Sequence, residues 1–166
     1  MRIGIVGSGL MGSKLGTMFA RVGHDGIFSY SRSRKKLENL AKDAGTRAHA
    51  GTPADATQDA DALLLAVHWT RVDDGLAQAG TLSGKVVLTC SLPMSKDDSH
   101  MVIGHNTSGA ETLAANVPRA HVVSAFSPAP SEVLFPVFEQ RGKGSPPDLI
   151  YSGDDKGAEQ RKQPLV

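Results

Sequence analysis

The chain reads as an α/β protein with a doubly wound, mostly parallel sheet, and three observations predict it. Short apolar runs alternate with stretches of helical spacing along most of the 166 residues. The links between them are short. The first apolar run, Arg2-Ile3-Gly4-Ile5-Val6, breaks on glycines directly before a helical pattern.

Each element has its own warrant. Arg2 to Val6 is apolar enough to be a strand buried on both faces. Leu10 to Val22 carries Leu15, Met18, Phe19 and Val22 at helical spacing, and Gly23 can close it. Ile27 to Tyr30 is a second strand. Ser33 can cap a helix through Ala44, closed by Gly45, and Thr46 to Ala50 supplies a short third strand. Pro53 to Asp59 reads as a brief helix. Ala62 to Val67, the most apolar run, reads as a central strand, followed by a helix from Val72 to Gln78 that Gly80 breaks. Lys85 to Cys90 is the next strand. Ser108 or Gly109 opens a helix to Asn116, and His121 to Phe126 is another strand. The stretch 138–148 reads as an exposed loop. Asp148 to Tyr151 reads as a last strand, with a helix starting near Asp155.

The totals set bounds. A net charge of +1 and 40% hydrophobic residues suit one globular domain over 1–166. They argue against a nucleic-acid binder. No apolar run reaches membrane-spanning length, and Met1 to Val6 lacks signal-peptide features. The lone Cys90 excludes an internal disulfide. A cytoplasmic location is the expectation.

Gly7-Ser8-Gly9-Leu10-Met11-Gly12 is a G-x-G-x-x-G between a strand and a helix, the setting of a Rossmann-type dinucleotide fold. Gly7 makes the tight turn, Gly9 lets backbone approach a pyrophosphate, and Gly12 permits close packing. The helix start favours the diphosphate. Sites that choose NAD place an acid about 20 residues on, at the end of the second strand. Here that place holds Tyr30-Ser31-Arg32, with Lys36 one turn into the next helix. A hydroxyl and a guanidinium suit a 2′-phosphate. The expected cofactor is therefore NADP(H), with Arg34 and Lys35 as solvated charge.

The segments "GIVGSGLMG", "SYSRSRKK", "DALLLAVHW", "KVVLTCSLP" and "VVSAFSPAPSEVL" resemble, in order and spacing, the F420-dependent NADP oxidoreductases. The resemblance runs from Met1 to about Gln160. It implies a Rossmann NADP-binding fold in which Ser8 to Gly12 hold the pyrophosphate and Ser31, Arg32 and Lys36 the 2′-phosphate. It also implies that the loops after Val67 and Cys90 border the nicotinamide. Ser124 and Ser127 stand where many relatives carry lysine and asparagine. The family's further strand and C-terminal helical segment, often a dimer contact, are expected to be missing, so a homodimer stays open.

Hydride transfer between a nicotinamide and a flavin-like ring needs ring alignment more than an acid or base. No catalytic residue is named. His68 and Trp69 follow the central strand and are candidates to line the nicotinamide or acceptor pocket, or to cap and pack; Leu92 and Pro93 are candidates for a pocket wall. Ser124, Ser127 and Pro128 could face the acceptor. Cys90 reads as core. The loop holding Asp97, Asp98, His100 and His105 reads as mobile surface with no well-spaced metal set. The expected function is hydride transfer between NADPH and coenzyme F420 or a flavin-type small-molecule acceptor. Alternatives are a flavin-mediated ferric or cupric reductase, an imine or ketone reductase, and a non-catalytic NADP-binding or redox-sensing module.

Overall fold

The structure, a computed structural model, describes residues 1–145 and 147–153. Within them the chain begins β1 (Arg2–Val6), α1 (Leu10–Arg21), β2 (Asp25–Ser29), α2 (Arg34–Ala44), β3 (Ala48–Ala50) and α3 (Pro53–Gln58). It continues with β4 (Ala62–Leu65), a 3-10 turn at Trp69–Arg71, α4 (Val72–Ala79) and β5 (Val86–Thr89). The last described elements are α5 (Gly109–Asn116), β6 (His121–Ala125), α6 (Ser131–Glu139) and β7 (Tyr151–Ser152).

The strands form one seven-stranded sheet in the order β3-β2-β1-β4-β5-β6-β7. Strands β1 to β6 pair in parallel, and β7 runs antiparallel to β6. The expected doubly wound sheet is what folds. From β1 the chain winds outward to β2 and β3, then crosses back so that β4 lies on the other side of β1. That reversal opens a crevice at the strands' carboxyl ends.

Strand alternation decides which helices cover which face. Ile3, Ile5, Leu64 and Leu88 point to one side and pack with Leu15 and Phe19 of α1, Leu37 of α2 and Leu134 of α6. Val6, Leu63, Leu65 and Val87 point to the other and pack with Val72 and Ala79 of α4 and Leu113 of α5. Both faces of the central strands are thus buried, as their unbroken apolar runs require. No helix among the described residues is long and apolar enough to cross a membrane.

Local chemistry sets the boundaries. The Ser33 hydroxyl accepts the Lys36 N–H at the start of α2. Thr52 with Asp55, and Ser108 with Glu111, form reciprocal capping boxes at α3 and α5. Strand β2 stops at Ser29 rather than Tyr30 because Tyr30 turns left-handed, at φ 59°. Strand β4 ends at Leu65, two residues short of the expected Val67.

Two expectations need correction. Helix α6 was not among the expected elements, and its segment carries Pro128, Pro130 and Pro136. Pro130 stands just before the first turn, where no N–H is needed. Pro136 lies inside the helix, which packs Leu134 and Phe138 into the core beside α1. Phe138 and Glu139 therefore belong to α6 rather than to an exposed loop. The last strand covers Tyr151–Ser152, against Ala125 and Ser124, and leaves out Asp148 to Ile150. The loop after Pro93 is folded back by a bridge between Met94 and Met101, with Ser95 buried. The helix expected near Asp155 lies outside the described residues.

Candidate cofactor-binding site

A cleft of about 810 Å³ opens at the carboxyl ends of β1 to β4. Its floor is the turn Gly7-Ser8-Gly9. Gly7 has φ +119°, and a Cβ there would lie 2.2 Å from the Ala66 carbonyl oxygen. A Cβ on Gly12 would lie 1.9 Å from the Gly7 carbonyl oxygen, so α1 can start only this close to the turn with glycine there. A Cβ on Gly9 would meet nothing within 4 Å, which leaves the backbone open to an approaching ligand.

Helix α1 starts at Leu10 behind its N-cap Gly9, with no side-chain cap and no acid in its first turn. Its leading N–H groups have no acceptor within the helix, and its dipole is positive there. One wall comes from the β2–α2 connection: Tyr30, Ser31, Arg32, Ser33, Arg34 and Lys36. The Ser31 hydroxyl accepts the Ser33 N–H at 3.2 Å and keeps its own proton to donate. Arg34 is engaged by Glu38 at 3.1 Å. Arg32 and Lys36 have no ion-pair partner among the described residues.

The facing wall comes from Ala66, Val67, His68, Arg71 and α4. Arg71, Asp74 and Gln78 follow one another at spacings of three and four, so one polar helix face is turned to the cleft. Gln78 Nε2 donates to Asp74 Oδ2 at 3.1 Å. The Tyr30 hydroxyl crosses from β2 to donate to the same oxygen. The Tyr30 hydroxyl, then Gln78, then the Arg71 charge hold the Asp74 carboxyl below its ordinary range. Burial, then Asp74, raise the Tyr30 phenol. The lining thus holds four cations, Arg32, Arg34, Lys36 and Arg71, against one carboxylate, Asp74.

His68 lines the cleft and also holds structure. Its Nδ1 accepts the Thr70 N–H at 3.3 Å, so in the neutral ring the proton sits on Nε2. Nε2 faces Asp98 Oδ1 at 3.0 Å. Both ring nitrogens are occupied, so the imidazole tethers the 94–101 loop and has no nitrogen left for a ligand.

Of the residues the sequence marks, Gly7, Ser8, Gly9, Ser31, Arg32, Lys36, Val67 and His68 come together around the cleft. The others fall outside its lining. Leu10 is 68% exposed, Met11 packs on the core, and Gly12 lies behind the turn. Trp69 and Pro93 turn toward the start of α5, against Gly109. Leu92 is exposed beyond the lining. Ser124 and Ser127 meet each other at 3.3 Å, also outside it. Burial pushes the Cys90 thiol up to about 11, as a core residue requires. Among the described residues no three His, Cys, Asp or Glu side chains converge. Sequence reasoning missed Tyr30, Arg71, Asp74, Gln78 and the Gly51-Thr52-Pro53 rim. The polar spacing of Arg71, Asp74 and Gln78 directly after the central strand was the available signal.

An open glycine turn, an uncapped helix start and two cations unpaired among the described residues fit the phosphates of a dinucleotide. Comparison with known proteins agrees with this setting. UDP-glucose 6-dehydrogenase AglM of Haloferax volcanii is 29% identical over 122 residues, 64% of this chain. The chain spans 28% of that relative's length. The fold matches a candidate F420-dependent NADP-reductase from Arthrobacter sp. FB24 at TM-score 0.84 and 20% identity, covering 99% of this chain and 79% of that one. It matches the hypothetical protein SMa0349 from Sinorhizobium meliloti at TM-score 0.81 and 25% identity, with the same coverage of 99% and 79%. A family profile described as NADP oxidoreductase, coenzyme F420-dependent, matches residues 2–93, the stretch that builds the cleft. The chain belongs to that family of NAD(P)-dependent oxidoreductases.

Proposed function

We propose that this chain binds NADP(H) along the carboxyl edge of its sheet and serves hydride transfer between NADPH and a deazaflavin (F420) or flavin-type ring. The observation that carries the cofactor choice is the pair Arg32 and Lys36, two cleft cations without an ion-pair partner among the described residues. A dianionic 2′-phosphate would supply the missing partner, with the Ser31 hydroxyl as a further donor. The Gly7–Gly9 turn and the start of α1 would take the pyrophosphate. The nicotinamide supplies the hydride when bound. The chain's part is to hold the cofactor, orient its ring and exclude water on that side. F420 as acceptor is favoured by the family description.

One observation favours a second reading, NADP(H) binding without turnover. Ser124 and Ser127, expected on the acceptor side, bond each other at 3.3 Å, and Pro93 turns toward the start of α5. Titration of NADPH against NADH, followed by an acceptor screen, tests both. Tighter NADPH binding with oxidation only when F420 or a flavin is supplied supports the enzyme. Binding without turnover on any acceptor supports the module. Equal binding of both cofactors overturns the 2′-phosphate assignment.

A further inference from the structure

The sequence places no acid at the end of β2, yet the folded cleft contains one. Asp74 enters from α4 and reaches the end of β2 through the Tyr30 hydroxyl. In sites that choose NADH, a carboxylate near this strand end takes the ribose hydroxyls and repels a 2′-phosphate. Asp74 therefore brings an NADH-type group into a site whose cations are of the NADPH type.

We propose that Tyr30 is a specificity-determining residue: its hydroxyl binds the Asp74 carboxylate and thereby keeps that charge from opposing a 2′-phosphate. The inference rests on the NADP(H) reading above and deepens it.

The geometry supports each step. Asp74 Oδ2 takes two donors, the Tyr30 hydroxyl and Gln78 Nε2, and is anchored to its own wall of the cleft. Tyr30 is fixed in turn. Its ring packs on the core cluster beneath α4, and its carbonyl oxygen accepts the Ser8 hydroxyl at 3.5 Å. Its left-handed backbone, φ 59°, carries the chain directly into Ser31 and Arg32. Arg32 lies close enough for its charge to act on the Tyr30 phenol, and Arg71 acts on both Tyr30 and Asp74. An Asp74 carboxylate that loses the hydroxyl keeps its charge and one donor, Gln78 Nε2, with Arg71 as the cation acting on it. Its charge would then oppose the 2′-phosphate across the cleft, or take the 2′-hydroxyl of NADH.

Tyr30→Phe removes the hydroxyl and keeps the packed ring. Asp74→Asn removes the charge and keeps the shape. Kd values for NADPH and NADH are measured by fluorescence titration for wild type, each single variant and the double variant. Wild type is expected to prefer NADPH. Tyr30→Phe is expected to lower the NADPH-over-NADH preference about fivefold, the scale of one unscreened charge near a phosphate in a wet cleft. In the Asp74→Asn background the same change should leave the preference unaltered, because no charge remains to release. An unchanged preference in Tyr30→Phe overturns the proposal. So does a loss that persists in the double variant, since Tyr30 would then act on the phosphate directly. If wild type itself prefers NADH, the cofactor reading fails first, and the titration shows it before any variant is compared.

Discussion

The cleft half of the sheet and the half beyond it use the same parts, and differ in where their loops spend polar groups. From β1 to β4, each strand's carboxyl end delivers residues to one cleft. Beyond β5 the loops close on themselves or on the sheet. The Ser91 hydroxyl donates to the Val67 carbonyl at 2.7 Å. Asp97 accepts the hydroxyls of Ser95 at 2.6 Å and Ser99 at 2.8 Å. Polar groups satisfied internally have little left for a ligand. The family match ends at residue 93, close to where this change occurs. The first half turns its polar groups to the cleft; the second spends them on its own packing.

The largest expected effect comes from breaking the turn. Gly12→Ala would put a Cβ 1.9 Å from the Gly7 carbonyl oxygen, which is backbone and cannot step aside cheaply. A loss of about 3 kcal/mol in urea unfolding is expected. Gly9→Ala is the control within the same motif, because its Cβ meets nothing within 4 Å. Its stability should fall by no more than about 1 kcal/mol, the cost of Ala in place of Gly at this helix N-cap. Both cofactors should nevertheless bind more weakly, since the new methyl stands where the pyrophosphate approaches. Parallel losses of stability in the two variants would remove the distinction between Gly12 as a packing glycine and Gly9 as a ligand glycine.

A smaller and more selective effect is expected at Arg32. Arg32→Ala should weaken NADPH binding by about 2 kcal/mol, roughly thirtyfold, through loss of a charge-assisted phosphate contact. NADH binding should hardly move. Ser127→Ala, in the second half, should leave both Kd values as they were, because that hydroxyl meets Ser124 outside the cleft. Equal weakening of both cofactors by Arg32→Ala would place Arg32 on a shared part of the molecule.

Legibility in the sequence follows the same division. The strands, the glycine turn and the Ser33 cap were readable because each rests on neighbours in the chain: alternation, a turn, a hydroxyl three residues from its N–H. That Arg32 and Lys36 line the cleft was readable for the same reason. Asp74 was not, because its meaning comes from Tyr30, 44 positions away and brought near only by the β2-β1-β4 order. Helix α6 was hidden because tertiary packing overrides Pro136. Trp69 and Pro93 follow central strands as pocket residues do, yet their side chains turn toward α5, and no local pattern sets that direction.

The smallest expected effect tests the second half directly, through Asp97. The Ser95 hydroxyl, then the Ser99 hydroxyl and its N–H, hold this carboxyl down to about 2, against an ordinary value of 3.8. The sign follows from the direction. A carboxyl depressed on folding stabilises the folded loop fully above pH 3.8, and that contribution is lost as the pH falls through about 2. The side chain is open to water, so the loss should be confined to the loop while the sheet stays folded. An NMR titration of the side-chain carboxyl should find its midpoint near 2, with the Ser99 amide shift moving in step. Asn at position 97 should abolish that step and leave cofactor binding unchanged, because Asp97 is not part of the cleft lining. A midpoint near 3.8 would show Asp97 released to solvent. The loop beyond β5 would then not be closed on itself, and the contrast between the two halves would rest on the cleft alone.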